Sequence, residues 1–281
     1  MENGAYQAIL LNRTQPKSNF MKDKFILPRK INVPAIALFA IFLFGQIPCK
    51  AQGKQSNVLY AQPTRLMLKG DKNAVEEEKK GILLREKFYP IGWSKDGKFA
   101  FYVEPADEAC GCYFAKLVIQ DLRTDKILWE RSYNSDGNSQ VTLKKYWAKN
   151  QKEFSQKLAQ YRIRAQKQFA LQNPAINYKK DVLTPEIKVN VTVNNEYAVT
   201  GNVILQLISK EKGRKTIYAK KFDPKKYESF RNAEISGSLL SPFEPRGAIV
   251  IIETYRGYEG PPNITKIRIV GTTLTTGFRL S

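Results

Sequence analysis

The sequence predicts a mainly β fold of the α+β kind, in which two related antiparallel β units flank one long amphipathic helix. Three observations predict it. Short runs that alternate apolar and polar residues recur over residues 87–131 and again over 186–271, the period of a half-buried strand. Turn dipeptides separate such runs, Asp96-Gly97 in the first block and Lys212-Gly213 in the second. Between the blocks Leu143, Trp147, Phe154, Leu158, Tyr161, Ala165 and Phe169 recur at steps of three, four or seven. That period predicts a helix over residues 143–172, ended by Asn173-Pro174 because proline cannot continue the ladder and disfavours helical geometry in its predecessor.

The chain is organised from its opening. Lys22, Lys24, Arg29 and Lys30 precede an apolar run over residues 35–45, and Cys49-Lys50-Ala51 follows it, the order of a leader and signal peptide over residues 1–51 cleaved before Gln52. A start at Met21 gives that signal an ordinary length; Met1 is the other candidate. The apolar run is shorter than the roughly 20 residues that span a bilayer. The expectation is an exported protein, periplasmic or extracellular, with no integral membrane span once the signal is removed. Cys49 follows Pro48 rather than a lipoprotein box, which argues against a lipid anchor.

Residues 52–86 read as a polar N-terminal arm with the charge run Glu76-Glu77-Glu78-Lys79-Lys80 and an edge strand around 58–68. Residues 87–135 form a β meander: strands at 87–93 and 98–104 about the Ser94-Lys95-Asp96-Gly97 turn, then 113–121 and 126–131. The helix over 143–172 follows, and residues 184–277 carry the second β unit, with strands at 186–194, 203–210, 215–221, 233–240, 248–255 and 265–271. Two echoes relate the units. Leu240-Ser241-Pro242 with residues 246–253 repeats Trp93-Ser94-Lys95 with 98–104, and Lys266-Ile267-Arg268-Ile269-Val270 repeats Lys116-Leu117-Val118-Ile119-Gln120.

The run Ile91-Gly92-Trp93-Ser94-Lys95-Asp96-Gly97-Lys98-Phe99-Ala100-Phe101, with Ile119-Gln120-Asp121-Leu122 after it, resembles a blade of TolB-type propellers. In those repeats a Trp-Ser-x-Asp-Gly-Lys turn joins two strands and an x-x-Asp-Leu step ends a third. The wider order, closing on Leu240-Ser241-Pro242 and Arg256-Gly257-Tyr258-Glu259-Gly260, is similar to a family of predicted secreted bacterial proteins of unknown function. The resemblance implies export and a β-rich fold, and it implies no reaction. The chain departs from the pattern at Cys110-Gly111-Cys112, where a Gly-rich stretch is expected.

Charge and composition narrow the function classes. Lysine and arginine number 46 against 26 acids, a net charge of +20, and removing residues 1–51 leaves the remainder strongly basic. Such a protein is drawn to anionic surfaces through a field that salt screens. The expected partner is an anionic envelope surface or a protein; nucleic acid fits the charge but not the compartment. The chain has no histidine, which removes the usual general base and the commonest metal ligand. Phosphate-cradling loops, zinc spacings and nucleophile elbows are lacking, so no cofactor or metal is expected and the leading reading is a non-enzymatic binding protein. The alternatives are an envelope thiol oxidoreductase, a hydrolase built on acids such as Glu104 and Glu259, and a structural accessory subunit.

The candidate residues follow from these readings. Cys110 and Cys112 point to the same side of an extended segment, and Gly111 can bend the backbone between them. In an oxidising compartment they form a disulfide-locked loop, with a redox dithiol or metal pair as the other readings. Lys149, Lys152, Lys157 and Lys167 lie among eight cations on the helix, against Glu153 alone, and are candidates for contact with an anionic surface. Trp93 and Asp96 stand at the first turn, where Trp93 reads as core and Asp96 as turn geometry, with a pocket as the alternative. Tyr255, Tyr258 and Glu259, followed by Pro261-Pro262, form a loop suited to a glycan or protein contact or simply to joining two strands.

Overall fold

The computed structural model describes residues 58–108, 110–137, 140–173, 175–193, 199–223, 225 and 229–280. The expected leader, signal peptide and cleavage point, over residues 1–51, lie outside the described residues. Residues 54–281 cluster as one unit.

In chain order the unit opens with a 3-10 turn at Asp71–Asn73 and the short helix α1 (Ala74–Lys79), then β1 (Leu83–Leu84). The first meander is β2 (Lys87–Trp93), β3 (Lys98–Glu104), β4 (Phe114–Asp121) and β5 (Lys126–Asn134), followed by α2 (Leu143–Gln160) and the two-residue β6 (Arg164–Ala165). The second half is β7 (Ile176–Tyr178), β8 (Asp181–Val193), β9 (Val199–Ser209) and β10 (Gly213–Phe222). It closes with β11 (Phe230–Leu240), β12 (Arg246–Gly257) and β13 (Gly260–Thr273).

These strands form three sheets. The first has the order β5-β4-β3-β2-β6, the second β1-β13-β12-β11 and the third β10-β9-β8-β7. Every pairing is antiparallel except that of β1 with β13. The second β unit is therefore divided between two sheets rather than closed as one.

Side-chain parity shows how the layers stack. On β3, Ala100 and Tyr102 share a core with Trp147, Phe154 and Leu158 of α2, while Phe99, Phe101 and Val103 share another with Ala248, Val250 and Ile252 of β12. Ile249 and Ile251, on the opposite face of β12, pack with Val203, Leu205 and Leu207 of β9. The order is thus α2, first sheet, second sheet, third sheet, with successive residues of one strand serving two cores. The two central sheets are covered on both faces, which explains why β3 and β12 read as nearly unbroken apolar runs. The third sheet is covered on one face, and β9 alternates accordingly.

The helix is 18 residues long rather than the 30 expected over 143–172. Thr142 caps its start by accepting a bond from the Lys145 amide. It ends because Arg162 turns left-handed at φ 58°, with Arg162 N–H donating to the Ala159 carbonyl and Ile163 N–H to that of Leu158, both at 2.9 Å. This pair of bonds is a Schellman stop, and Ile163 joins Leu158 in the same core. Arginine in place of the usual glycine hides the stop from the sequence. Beyond it Arg164–Ala165 pairs with Gly92 and Trp93 of β2. A methyl at Gly92 would collide with the Arg164 carbonyl, so this approach requires glycine. Phe169, which continued the helical period, packs on the opposite face of the first sheet, against Phe99. No straight helix on α2's face could bring it there.

The N-terminal arm forms no strand over 58–68; it makes a single antiparallel bridge, Leu66 to Phe88. It is tied down elsewhere: the Tyr60 amide donates to Ser155 Oγ at 2.9 Å, and Trp147 Nε1 donates to the Tyr60 carbonyl at 3.2 Å. The charge run 76–80 belongs mostly to α1.

Candidate functional site

The basic residues sort themselves by the geometry of α2. Leu143, Tyr146, Trp147, Phe154 and Leu158 are buried on its inner face. At about 100° per residue, Lys145, Lys149 and Lys152 fall within about 60° of one another on the side facing away from that core. All three are exposed, as is Lys144. Lys145 Nζ bonds the Gln140 carbonyl. Glu153, the one acid of the helix, lies 4.0 Å from Arg131, and no carboxylate among the described residues pairs with Lys149 or Lys152. The four lysines singled out from the sequence are not on one face. Lys149 and Lys152 are on the outward face, whereas Lys157 stands to the side and bonds Gln160 Oε1 at 3.2 Å. Lys167 is past the helix, in a groove of about 760 Å³ between residues 61–66 and 165–170.

Beside the N-terminus of α2 lies a cleft of about 430 Å³, lined by Lys87, Glu104, Asp107, Cys112, Tyr113 and Thr142 among others. Cys110 and Cys112 form a disulfide, with Cα atoms 5.1 Å apart. Asp107 shapes their loop by accepting the Cys110 amide at 3.0 Å and the Cys112 amide at 2.8 Å. Glu104 is buried at the base of the cleft. Tyr89 donates to its Oε2 at 2.8 Å, Tyr113 donates to its Oε1 at 2.9 Å, and Lys87 Nζ is 3.2 Å away. Tyr102 extends the chain to Tyr113 at 2.6 Å. Burial is the main cause that pushes the hydroxyls of Tyr89, Tyr102 and Tyr113 above the usual tyrosine range; for Tyr113, the hydrogen bond with Tyr102 and the nearby Glu104 charge add to it. Such tyrosines act as fixed donors at neutral pH. Both oxygens of Glu104 are thereby occupied, which suits holding two strands together more than moving a proton.

The Tyr258 loop, distant in sequence, reaches the same region. Glu108, next to the cysteine loop, accepts the Tyr258 amide at 2.6 Å. Tyr258 is 81% exposed and Glu259 is also exposed, but Glu259 does not line the cleft with Glu104. Tyr255 points inward and donates to Glu253 at 2.7 Å. Trp93 is fully buried with its ring 4.5 Å from that of Phe99, and Asp96 is half-buried and paired with Lys98. The hydrogen bond to Lys98 is the main cause that holds the Asp96 carboxyl below its usual range.

Among the described residues no three His, Cys, Asp or Glu side chains are grouped so as to hold a metal ion, and no helix is long and apolar enough to cross a membrane. Comparison with protein-family models, curated proteins and solved structures returns no match to this chain.

Sequence reasoning missed two clusters: the Tyr89-Glu104-Tyr113 network and the Glu253-Arg268 pair. Period-two alternation placed these residues on strands, but no local signal says that strands distant in sequence bring them together.

Proposed function

We propose that the chain is an exported, non-catalytic protein of the bacterial envelope that binds an anionic surface through the outward face of α2. The observation that carries this reading is the stripe of Lys145, Lys149 and Lys152 opposite the buried face of a helix that is itself anchored on a sheet. Each lysine near an anionic lipid surface contributes about 1 kcal/mol, so three give weak, salt-sensitive attachment. Export is supported by the basic residues ahead of the apolar run over 35–45.

Two related β units remain part of this reading. Ser94 N–H donates to the Lys98 carbonyl, and Ser241 N–H donates to that of Arg246, both at 2.9 Å, so the two hairpins are closed by the same kind of bond. Each hairpin then continues into a third antiparallel strand, β4 in one case and β13 in the other. The meander β2–β5, with Trp93, Ser94, Asp96 and Gly97 at its first turn, supports kinship with TolB-type blades and with the secreted family of unknown function.

Co-sedimentation of the exported chain with phosphatidylglycerol vesicles, and with phosphatidylcholine vesicles as the neutral control, tests the proposal. Binding to the anionic vesicles alone is expected at low salt, falling at least tenfold in Lys145→Gln/Lys149→Gln/Lys152→Gln without loss of the folded circular dichroism spectrum. Equal retention of variant and parent overturns it. A rival reading as a thiol oxidoreductase is supported by the Cys110–Cys112 disulfide, whose Cys110 is exposed, and turnover of a disulfide substrate that is lost in Cys110→Ser would favour it.

A further inference from the structure

We infer that the exposed face of the third sheet, at its β10 edge, is a binding site for a phosphate group held between Arg214 and Arg279. The C-terminal segment docks against β10 through a reciprocal pair of backbone bonds, Arg214 N–H to the Arg279 carbonyl at 2.9 Å and Arg279 N–H to that of Arg214 at 3.0 Å. Residues exchanging both bonds stand directly opposite, so their side chains leave the same face with Cβ atoms about 5.5 Å apart. Two cationic side chains leaving one face directly opposite each other repel and weaken a β pair. Neither arginine meets a carboxylate among the described residues. A bound anion would turn the repulsion into a clamp.

The surroundings fit that occupant. Thr216 lies two residues from Arg214 on the same face, and Gln206 stands opposite Thr216 on β9, with Nε2 3.4 Å from Thr216 Oγ1. These side chains line a cavity of about 500 Å³ with Arg214 and Arg279. Two guanidinium forks, a hydroxyl and an amide supply donors from several directions, more than the two oxygens of a carboxylate can take up and a match for the oxygens of a phosphate. Among the described strand residues of this face the acid is Glu186, opposite Gln206 on β8 and so two strands away from Thr216.

The backbone is built to bring Arg279 there. Gly213 has φ +85°, and a Cβ on it would collide with the Arg279 carbonyl. On the inner side Lys215 Nζ holds the same segment through the Thr273 carbonyl at 2.5 Å and the Thr276 carbonyl at 2.8 Å. The site is separate from the lysine stripe of α2 and does not depend on it.

Isothermal titration of the exported chain with inorganic phosphate, glycerol 3-phosphate and a glycerol phosphodiester tests the proposal and separates free phosphate from a phosphodiester polymer as the natural source. Saturable one-site binding of at least one probe is expected, weakened tenfold or more in Arg214→Gln/Arg279→Gln and in Arg279→Gln alone. The second variant alters an exposed residue of the terminal segment and keeps the test decisive if the double variant fails to fold. The α2 triple variant should bind phosphate as the parent does. Absence of saturable binding, or equal affinity in Arg279→Gln, overturns the site.

Discussion

Arg268 grips Glu253 through two bonds, Nε to Oε1 at 2.5 Å and Nη2 to Oε2 at 3.1 Å, although the carboxylate side chain is only 3% exposed. Tyr255 and Tyr218 donate to the same carboxylate at 2.7 and 3.4 Å, and the Arg268 guanidinium lies 5.1 Å above the Tyr218 ring. Burial alone would raise the Glu253 carboxyl, but the Arg268 bonds and charge outweigh it and hold it below its ordinary range.

Removing one partner is therefore expected to be worse than removing both. Arg268→Met should cost about 1–3 kcal/mol at pH 7 by leaving a buried carboxylate without its cation, and Arg268→Met/Glu253→Gln should recover most of that loss. Because the folded-state pKa of Glu253 is depressed, the stability it contributes is present above the usual carboxylate range and is lost as pH falls through the folded value. Urea denaturation of parent and variants at pH 7 and pH 3 checks both statements.

Glu86 titrates in the opposite sense. Burial raises its carboxyl to about 7, only partly offset by the Ile267 amide that donates to it and by Lys116 and Lys266. Between its ordinary value of 4.5 and about 7 the folded chain keeps a proton that the unfolded chain has released. Stability should fall as pH rises through that window, by on the order of 3 kcal/mol, and the cost is complete above it. Glu86→Gln should match the parent at pH 4 and exceed it at pH 8. Thermal melts across this range would refute the assignment if parent and variant ran parallel.

The cysteine loop should tolerate loss of its disulfide. A bond between residues two apart removes little unfolded-state entropy, about 1.6 kcal/mol at most, and Asp107 holds both cysteine amides independently of it. Cys110→Ser/Cys112→Ser is expected to fold with a melting temperature lowered by a few degrees. Alkylation and intact mass of the parent purified without reductant should show both thiols blocked.

Much of the strand pattern was legible because it is local. The turn over Ser94–Gly97 sets the β2–β3 hairpin through residues adjacent in sequence, and the alternation of β8 and β9 announces one wet face. The helix stop was not legible: Arg162 takes a conformation normally signalled by glycine, and Phe169 mimics one more helical turn while packing elsewhere. Of the candidate site residues, Lys149 and Lys152 were placed together because both lie on the outward face of α2, whereas Lys157 is on its side and Lys167 lies past its end.

By itself the sequence determined most of the long strands and where the helix begins, though not β1, β6 or β7 nor the lack of a strand over 58–68, and it determined the basic balance and the absence of histidine. These depend on residue type and on spacings of a few residues, which act before any distant contact forms. Tertiary structure decided the division of the second β unit into two sheets, the enclosure of Glu253 with Arg268 and of Glu104 with Tyr89 and Tyr113, and the meeting of Arg214 with Arg279. Those outcomes depend on which apolar faces bury one another across long loops, and a strand's alternation states only that it has two faces, not what will cover each of them.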